Sequence, residues 1–173
     1  MNHTHTSKWK KVMVGVSLTV AMLGVSSMTV ATPVQAAVTT SNKTASQKAD
    51  AIIKDAQSLM GKVKYVFGKN DPAKLTFDCS SFTKFLFAKQ GVDLKWGSSA
   101  QSKQGTSIKQ ISQLKKGDLV YFSVSTPGQV NHVGVYMGDG KFIHNLSPKD
   151  GVVISDLSKG NWTKRFISGS RVL

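Results

Sequence analysis

Asn131-His132-Val133-Gly134-Val135-Tyr136-Met137-Gly138-Asp139-Gly140-Lys141-Phe142-Ile143-His144 is the stretch that decides the fold. Two β-rich runs flank Gly138-Asp139-Gly140, which predicts an antiparallel hairpin. With a loop over 138–140 and Gly140 left-handed, Met137 pairs with Lys141, Val135 with Ile143, Gly134 with His144 and His132 with Leu146. Cross-strand partners share a face, and so do residues two apart on one strand. His132, Gly134 and His144 therefore point one way. Val133, Val135 and Ile143 point the other way, into a core. A two-residue loop would put the two imidazoles on opposite faces. The apolar set favours the odd loop, and Gly134 is expected to leave open space beside both rings.

Downstream and just upstream of the hairpin, the same short β-rich pattern recurs at 118–123, 152–155 and 168–172, punctuated by Gly, Pro, Asn and Asp. Further upstream the period changes. Ile52, Ile53, Ala56, Leu59 and Met60 keep helical spacing after Asp50, an expected N-cap, and Gly61 marks the stop. A second helix is expected over 79–90, with Phe82, Phe85, Leu86 and Lys89 at helical spacing and Gly91 as its stop. Residues 63–67 read as extended, 68–74 as a loop, and Ser98 and Ser99 as the cap of a short helix reaching Gln104. Helices first and strands second predict an α+β domain, with N-terminal helices packed on a central antiparallel sheet of about five strands.

Cys79 is the only thiol, so a disulfide framework and a thiolate-rich zinc site are excluded. It follows Asp78 at the start of the second predicted helix. A helix N-terminus places partial positive charge and unpaired N–H groups beside the side chain, which favours thiolate and offers donors to an oxyanion. A buried, inert thiol is an equal reading of position alone. The two histidines of the hairpin change the balance, because one Cys and two imidazoles make a nucleophile, a base and an orienting group. A metal site of the same three side chains matches no familiar zinc spacing.

The chain has 173 residues and a formal net charge of +14, and all nine of its acids are Asp. Lys8, Lys10 and Lys11 precede an uncharged apolar run over 12–31, and Val34-Gln35-Ala36 fits a small-x-small cleavage site. We therefore expect a signal peptide over 1–36, a flexible linker rich in Thr, Ser and Ala over 37–49, and one catalytic domain over 50–173. An uncleaved anchor is the alternative reading of the same run. Removing the leader's three Lys from the +14 chain leaves +11. Such a charge on an exported protein points to anionic cell-wall polymers as partners. Nucleic acid is disfavoured by export and by the absence of a basic-aromatic platform.

Four segments in order resemble the NlpC/p60 family: Lys64-Tyr65-Val66-Phe67-Gly68, Phe77-Asp78-Cys79-Ser80-Ser81-Phe82, Leu114-Lys115-Lys116-Gly117-Asp118-Leu119-Val120-Tyr121-Phe122, and the hairpin already quoted. These are bacterial cell-wall cysteine peptidases with a papain-like core. The resemblance implies that Cys79 is the nucleophile, His132 the general base and His144 the orienting residue. It implies that Tyr65 contacts the oxyanion or substrate, and that Asp78 and Ser80 line the substrate pocket. It implies a secreted, wall-associated endopeptidase without metal or cofactor. Its expected substrate is a peptidoglycan stem peptide, cut at the γ-D-glutamyl bond to diaminopimelate or lysine. A monomer with no membrane span after signal cleavage completes the expectation. An amidase or acyltransferase on the same scaffold, or a non-catalytic cationic wall-binding protein, are the alternatives. Two departures stand out: Ser81 where the family usually has Gly, and Phe67-Gly68-Lys69 where it usually has an aromatic followed by two Gly.

Overall fold

The structure is a computed structural model and describes residues 43–173. The signal peptide expected over 1–36 and residues 37–42 of the linker expected over 37–49 lie outside the described residues. Helix α1 (Ala45–Ser58) starts earlier than expected, so Asp50 sits inside it and the end of the expected linker is helical. Its N-cap is Thr44. The Thr44 hydroxyl accepts from the Gln47 N–H, and the Gln47 carboxamide accepts from the Thr44 N–H. This Thr-x-x-Gln capping box satisfies two donors at once and outweighs the single Asp signal six residues on. α1 buries Ala49, Ile52, Ile53 and Ala56.

Three two-residue strands follow: β1 (Lys64–Tyr65), β2 (Asn70–Asp71) and β3 (Thr76–Phe77), in the order β1-β3-β2. Helix α2 (Cys79–Ala88) comes next, then the short α3 (Ser98–Gln101). α2 and α3 each end short of the expected limits.

The main sheet has six antiparallel strands in the order β4-β9-β5-β6-β7-β8. Five were legible: β5 (Leu119–Phe122), β6 (His132–Gly138), β7 (Lys141–Asn145), β8 (Val152–Asp156) and β9 (Phe166–Arg171). The sixth, β4 (Thr106–Ile108), is an edge strand whose partner is β9. Three residues are too few to show a period, which is why the sequence did not reveal it. A short helix, α4 (Asn161–Arg165), bridges β8 and β9.

The β6–β7 ladder keeps the expected register at Val135–Ile143 and departs from it only at the turn. The turn is the pair Asp139-Gly140, with φ of 51° and 71°, the positive angles that a tight two-residue hairpin requires. One extra residue, Met137, then bulges from β6 between the pairs Tyr136–Phe142 and Gly138–Lys141. The expected Met137–Lys141 pair is not formed. The ladder stops at Val135–Ile143, so the pairs Gly134–His144 and His132–Leu146 are not formed either. The bulge nevertheless supplies the odd residue that the face argument needed.

Val133, Val135 and Ile143 join Ile52, Phe82, Leu86 and Phe87 in the core between the sheet and helices α1 and α2. On the other face, Val120, Phe122, Tyr136, Phe142 and Leu157 form a second cluster, against which Trp162 of α4 packs. β5 is buried on both faces, which explains its unbroken apolar run Leu119-Val120-Tyr121-Phe122.

Candidate active site

Asp78 caps α2. Its Oδ1 accepts from the Ser81 N–H at 2.7 Å and the Ser80 hydroxyl at 2.8 Å, and its Oδ2 accepts from the Trp96 indole N–H at 2.9 Å. Ser80 Oγ accepts in turn from the Gly97 N–H at 3.1 Å. Asp78 and Ser80 thus line the site while their polar atoms hold the 96–97 segment to the start of α2. Gln101 is fully buried and reinforces this junction. Its carboxamide donates to the carbonyls of Ser80 and Lys95 and accepts from the Thr83 hydroxyl.

The two departures from the family pattern are accommodated here. Ser81 Oγ accepts from the Asp78 N–H at 2.9 Å and donates to the Lys69 carbonyl at 2.6 Å. That closes a second capping box, which a glycine at 81 would lack. Lys69 serves through its backbone, so its side chain is free to vary.

Cys79 is the first residue of α2 and is buried. It borders a cleft of about 300 Å³ together with Phe67, Asp78, Ser80, Trp96 and Asn131. Two larger depressions, of about 400 and 420 Å³, lie elsewhere. The thiol, not the volume, singles out the smaller one. Phe67 and Trp96 stand exposed at its rim, at 86% and 48%.

The sulfur does not behave as helix position alone suggests. Burial pushes the Cys79 thiol up to about 11, and the Asp78 carboxylate adds to the rise. The backbone amides of Val133, Ser80 and Cys79 itself pull in the other direction without prevailing. The expected lowering is therefore corrected: desolvation opposes charge on sulfur more strongly than the amides favour it. Val133 directly follows His132, so the amide that reaches the sulfur belongs to the strand that carries the imidazole.

His132 and His144 share the face opposite Val133 and Ile143. His132 Nε2 lies 2.7 Å from His144 Nδ1, and His144 Nε2 lies 2.9 Å from Ser155 Oγ. Both rings are buried, at 3% and 0% exposure. Burial lowers His132 to about 4. Burial and the neighbouring His132 lower His144 to about 2. The resting pair is neutral. With His132 Nε2 turned to His144, Nδ1 is the nitrogen left to accept a proton. For His132 Nδ1 to be free to accept a proton, hydrogen must sit on Nε2 of both rings, so that His132 donates to His144 and His144 to Ser155.

Gly134 does not leave open space. A Cβ there would lie 2.8 Å from Phe142 Cδ2 and 3.0 Å from His144 Cβ. The missing side chain is what lets Phe142 and His144 close in. Tyr65 is half-buried; burial raises its phenol most, followed by Cys79 in its thiolate form and by the Asp78 carboxylate. It is therefore a neighbour of both.

Sequence reasoning missed Ser155, Trp96 and Trp162. Ser155 had a signal: Val153 pairs with His144, and the residue two further along shares that face. Trp162 had none, because it reaches the histidines from a helix on a different connection. Its indole lies edge-on to His144 at 5.0 Å and tilted to His132 at 5.9 Å.

Fold and site together define an α+β domain that carries a thiol at a helix start and a linked imidazole pair on the adjoining sheet. The chain belongs to the NlpC/P60 family, whose pattern matches residues 61–171. It is 40% identical over 122 residues to the probable endopeptidase p60 of Listeria innocua, covering 70% of this chain and 24% of that protein. It is 34% identical over 123 residues to the peptidoglycan DL-endopeptidase CwlO of Bacillus licheniformis, covering 68% and 26%. The chain thus spans about a quarter of each of these relatives. A solved NlpC/P60 family protein from Bacillus cereus superposes with a TM-score of 0.64 at 28% identity, covering 72% of this chain and 40% of that one.

Proposed function

We propose that this domain is a secreted cysteine endopeptidase that hydrolyses peptidoglycan stem peptides. The observation that carries the reading is the buried His132–His144–Ser155 chain on the same sheet whose Val133 amide, next to His132, reaches the sulfur of Cys79. A hydrogen-bonded imidazole pair without charge is what a general base held in one tautomer requires. The similarity to a probable endopeptidase of Listeria and a peptidoglycan DL-endopeptidase of Bacillus agrees with it.

The reaction is acyl transfer. Cys79 Sγ attacks the scissile carbonyl while its proton passes to His132 Nδ1. Because the thiol sits at about 11 and the imidazole at about 4, the proton moves as the bond forms rather than beforehand. The Cys79 N–H, with Tyr65 beside it, faces the oxyanion. His132 then protonates the leaving amine. Water, deprotonated by His132, hydrolyses the thioester and regenerates the thiol. His144 accepts from His132 Nε2–H throughout and fixes the ring. A neutral His offers less charge stabilisation than a carboxylate, so its contribution is mainly orientation.

The bond we assign is the γ-D-glutamyl linkage to diaminopimelate or lysine, with Asp78, Ser80 and Tyr65 shaping the subsite. The charge of +11 that remains after signal cleavage holds the monomeric enzyme to anionic wall polymers without metal or cofactor. Digestion of defined muropeptides, read by product mass, tests this reading. Fragments ending in D-glutamate or D-isoglutamine support it. Release of the intact stem from muramic acid would make the protein an amidase, and transfer to an added amine an acyltransferase. No product at all would favour a wall-binding protein.

A further inference from the structure

We propose that Trp162 is a positioning residue that keeps the His132–His144 pair dry, neutral and aligned. α4 is only five residues long, yet its indole meets four rings on the sheet. It lies 4.9 Å from Phe122 at 70°, 5.1 Å from Phe142 at 80° and 5.0 Å from His144 at 83°, all edge-on. The fourth is His132, at 5.9 Å and 31°. Edge-to-face packing of this kind fixes ring orientation as well as excluding water. Without the indole, the outer side of both imidazoles would face the surface cleared by α4.

The groups around His132 make burial the decisive influence. His144 on β7 is its titratable neighbour and is uncharged at rest, as is Cys79 on the adjoining α2. Asp156 on β8 is held by Ser158, and Lys164 and Arg165 on α4 are exposed. Desolvation is the only cause acting on His132. The residue that supplies much of that desolvation from the open side is Trp162. The proposal rests on His132 acting as the base only for its kinetic consequence. The protonation of the ring is a separate property.

The test is an NMR titration of the histidines in the full chain, for wild type, Trp162→Ala, Trp162→Leu and Trp162→Phe, beside the pH profile of stem-peptide hydrolysis. Wild-type His132 titrates near 4. Trp162→Ala moves it toward the ordinary 6.5, and Trp162→Phe keeps it close to wild type. A shift to about 6 lowers the neutral fraction at pH 5 about tenfold while leaving it unchanged at pH 8. Hydrolysis by Trp162→Ala falls in the same proportion. Should Trp162→Ala fail to fold, Trp162→Leu, which keeps bulk without the aromatic edge, carries the same expectation in smaller degree. His132 titrating at its wild-type position in a folded Ala or Leu variant overturns the proposal. If the titration shifts but no variant, nor the wild type, hydrolyses stem peptides, the peptidase reading fails and the role of Trp162 stands.

Discussion

Replacing Gly134 with Ala adds one methyl group at the point where β6 and β7 run closest to the imidazole pair. The new Cβ would stand 2.8 Å from Phe142 Cδ2, 3.0 Å from His144 Cβ and 3.0 Å from the Ile143 carbonyl oxygen. Carbon atoms in contact prefer roughly 3.5–4.0 Å, so something in this packed face must yield by about 0.5–1 Å. Gly134 is not among the glycines with positive φ, so the effect is steric and not a matter of backbone strain. Overpacking a rigid interior costs about 1–3 kcal/mol. For a domain of this size that is a fall in Tm of roughly 5–10 °C. The group most exposed to the push is His144, whose Nδ1 is 2.7 Å from His132 Nε2. A displacement approaching 1 Å in a catalytic constellation costs on the order of 10²-fold in rate. Thermal unfolding, together with turnover of stem peptide, measures both effects. Wild-type Tm and wild-type turnover would refute the close-approach argument. A lowered Tm with intact turnover would show that the strands yield away from His144.

Stability should depend on acid through the buried imidazoles. Unfolded His binds a proton near 6.5, whereas folded His132 does so only near 4 and His144 near 2. The unfolded state therefore binds more protons as pH drops below 6.5, and the fold is progressively destabilised from there through 4, by at most about 1.4 kcal/mol per unit for each ring. A Tm that is flat between about pH 7 and pH 4 would contradict the burial of a neutral pair. Ser81→Ala should cost about 1 kcal/mol in urea unfolding, since it removes the hydroxyl that closes the α2 capping box. No loss would mean that the box contributes nothing. Asp118→Asn should cost about 1–3 kcal/mol, because the buried carboxylate accepts from Arg171 twice and from the Lys115 N–H. The range is modest because Arg171 is 34% exposed and partly screened. His144→Ala should retain measurable turnover where His132→Ala retains none. Equal activities of these two variants would argue against an orienting role.

The hairpin and the start of α2 were the most legible parts of the chain. Alternation at Val133, Val135 and Ile143 set which face the histidines took, and Asp78 before an apolar helical run marked where Cys79 would sit. The route to the hairpin geometry was different from the one expected. A tight Asp139-Gly140 turn followed by a bulge at Met137 gives the same parity as a longer loop, and sequence alone does not separate the two. Thr44-x-x-Gln47 was readable as a capping box and was outweighed by the apolar spacing that begins only at Ile52. The protonation state of Cys79 was not readable at all. Helix position is local, whereas the desolvation that prevails over it comes from residues distant in sequence. The same holds for Trp162, whose partners on β5, β6 and β7 lie eighteen or more positions away.

The central claim is that Cys79 forms a covalent acyl intermediate with His132 as its base. It is tested most directly by acid-quenching the full chain during turnover of a stem tetrapeptide and weighing the intact protein. The account predicts an adduct of the N-terminal product fragment, mapped to Cys79, in wild type. It predicts neither adduct nor hydrolysis in Cys79→Ala and His132→Ala. Hydrolysis by Cys79→Ala at the wild-type rate would contradict it.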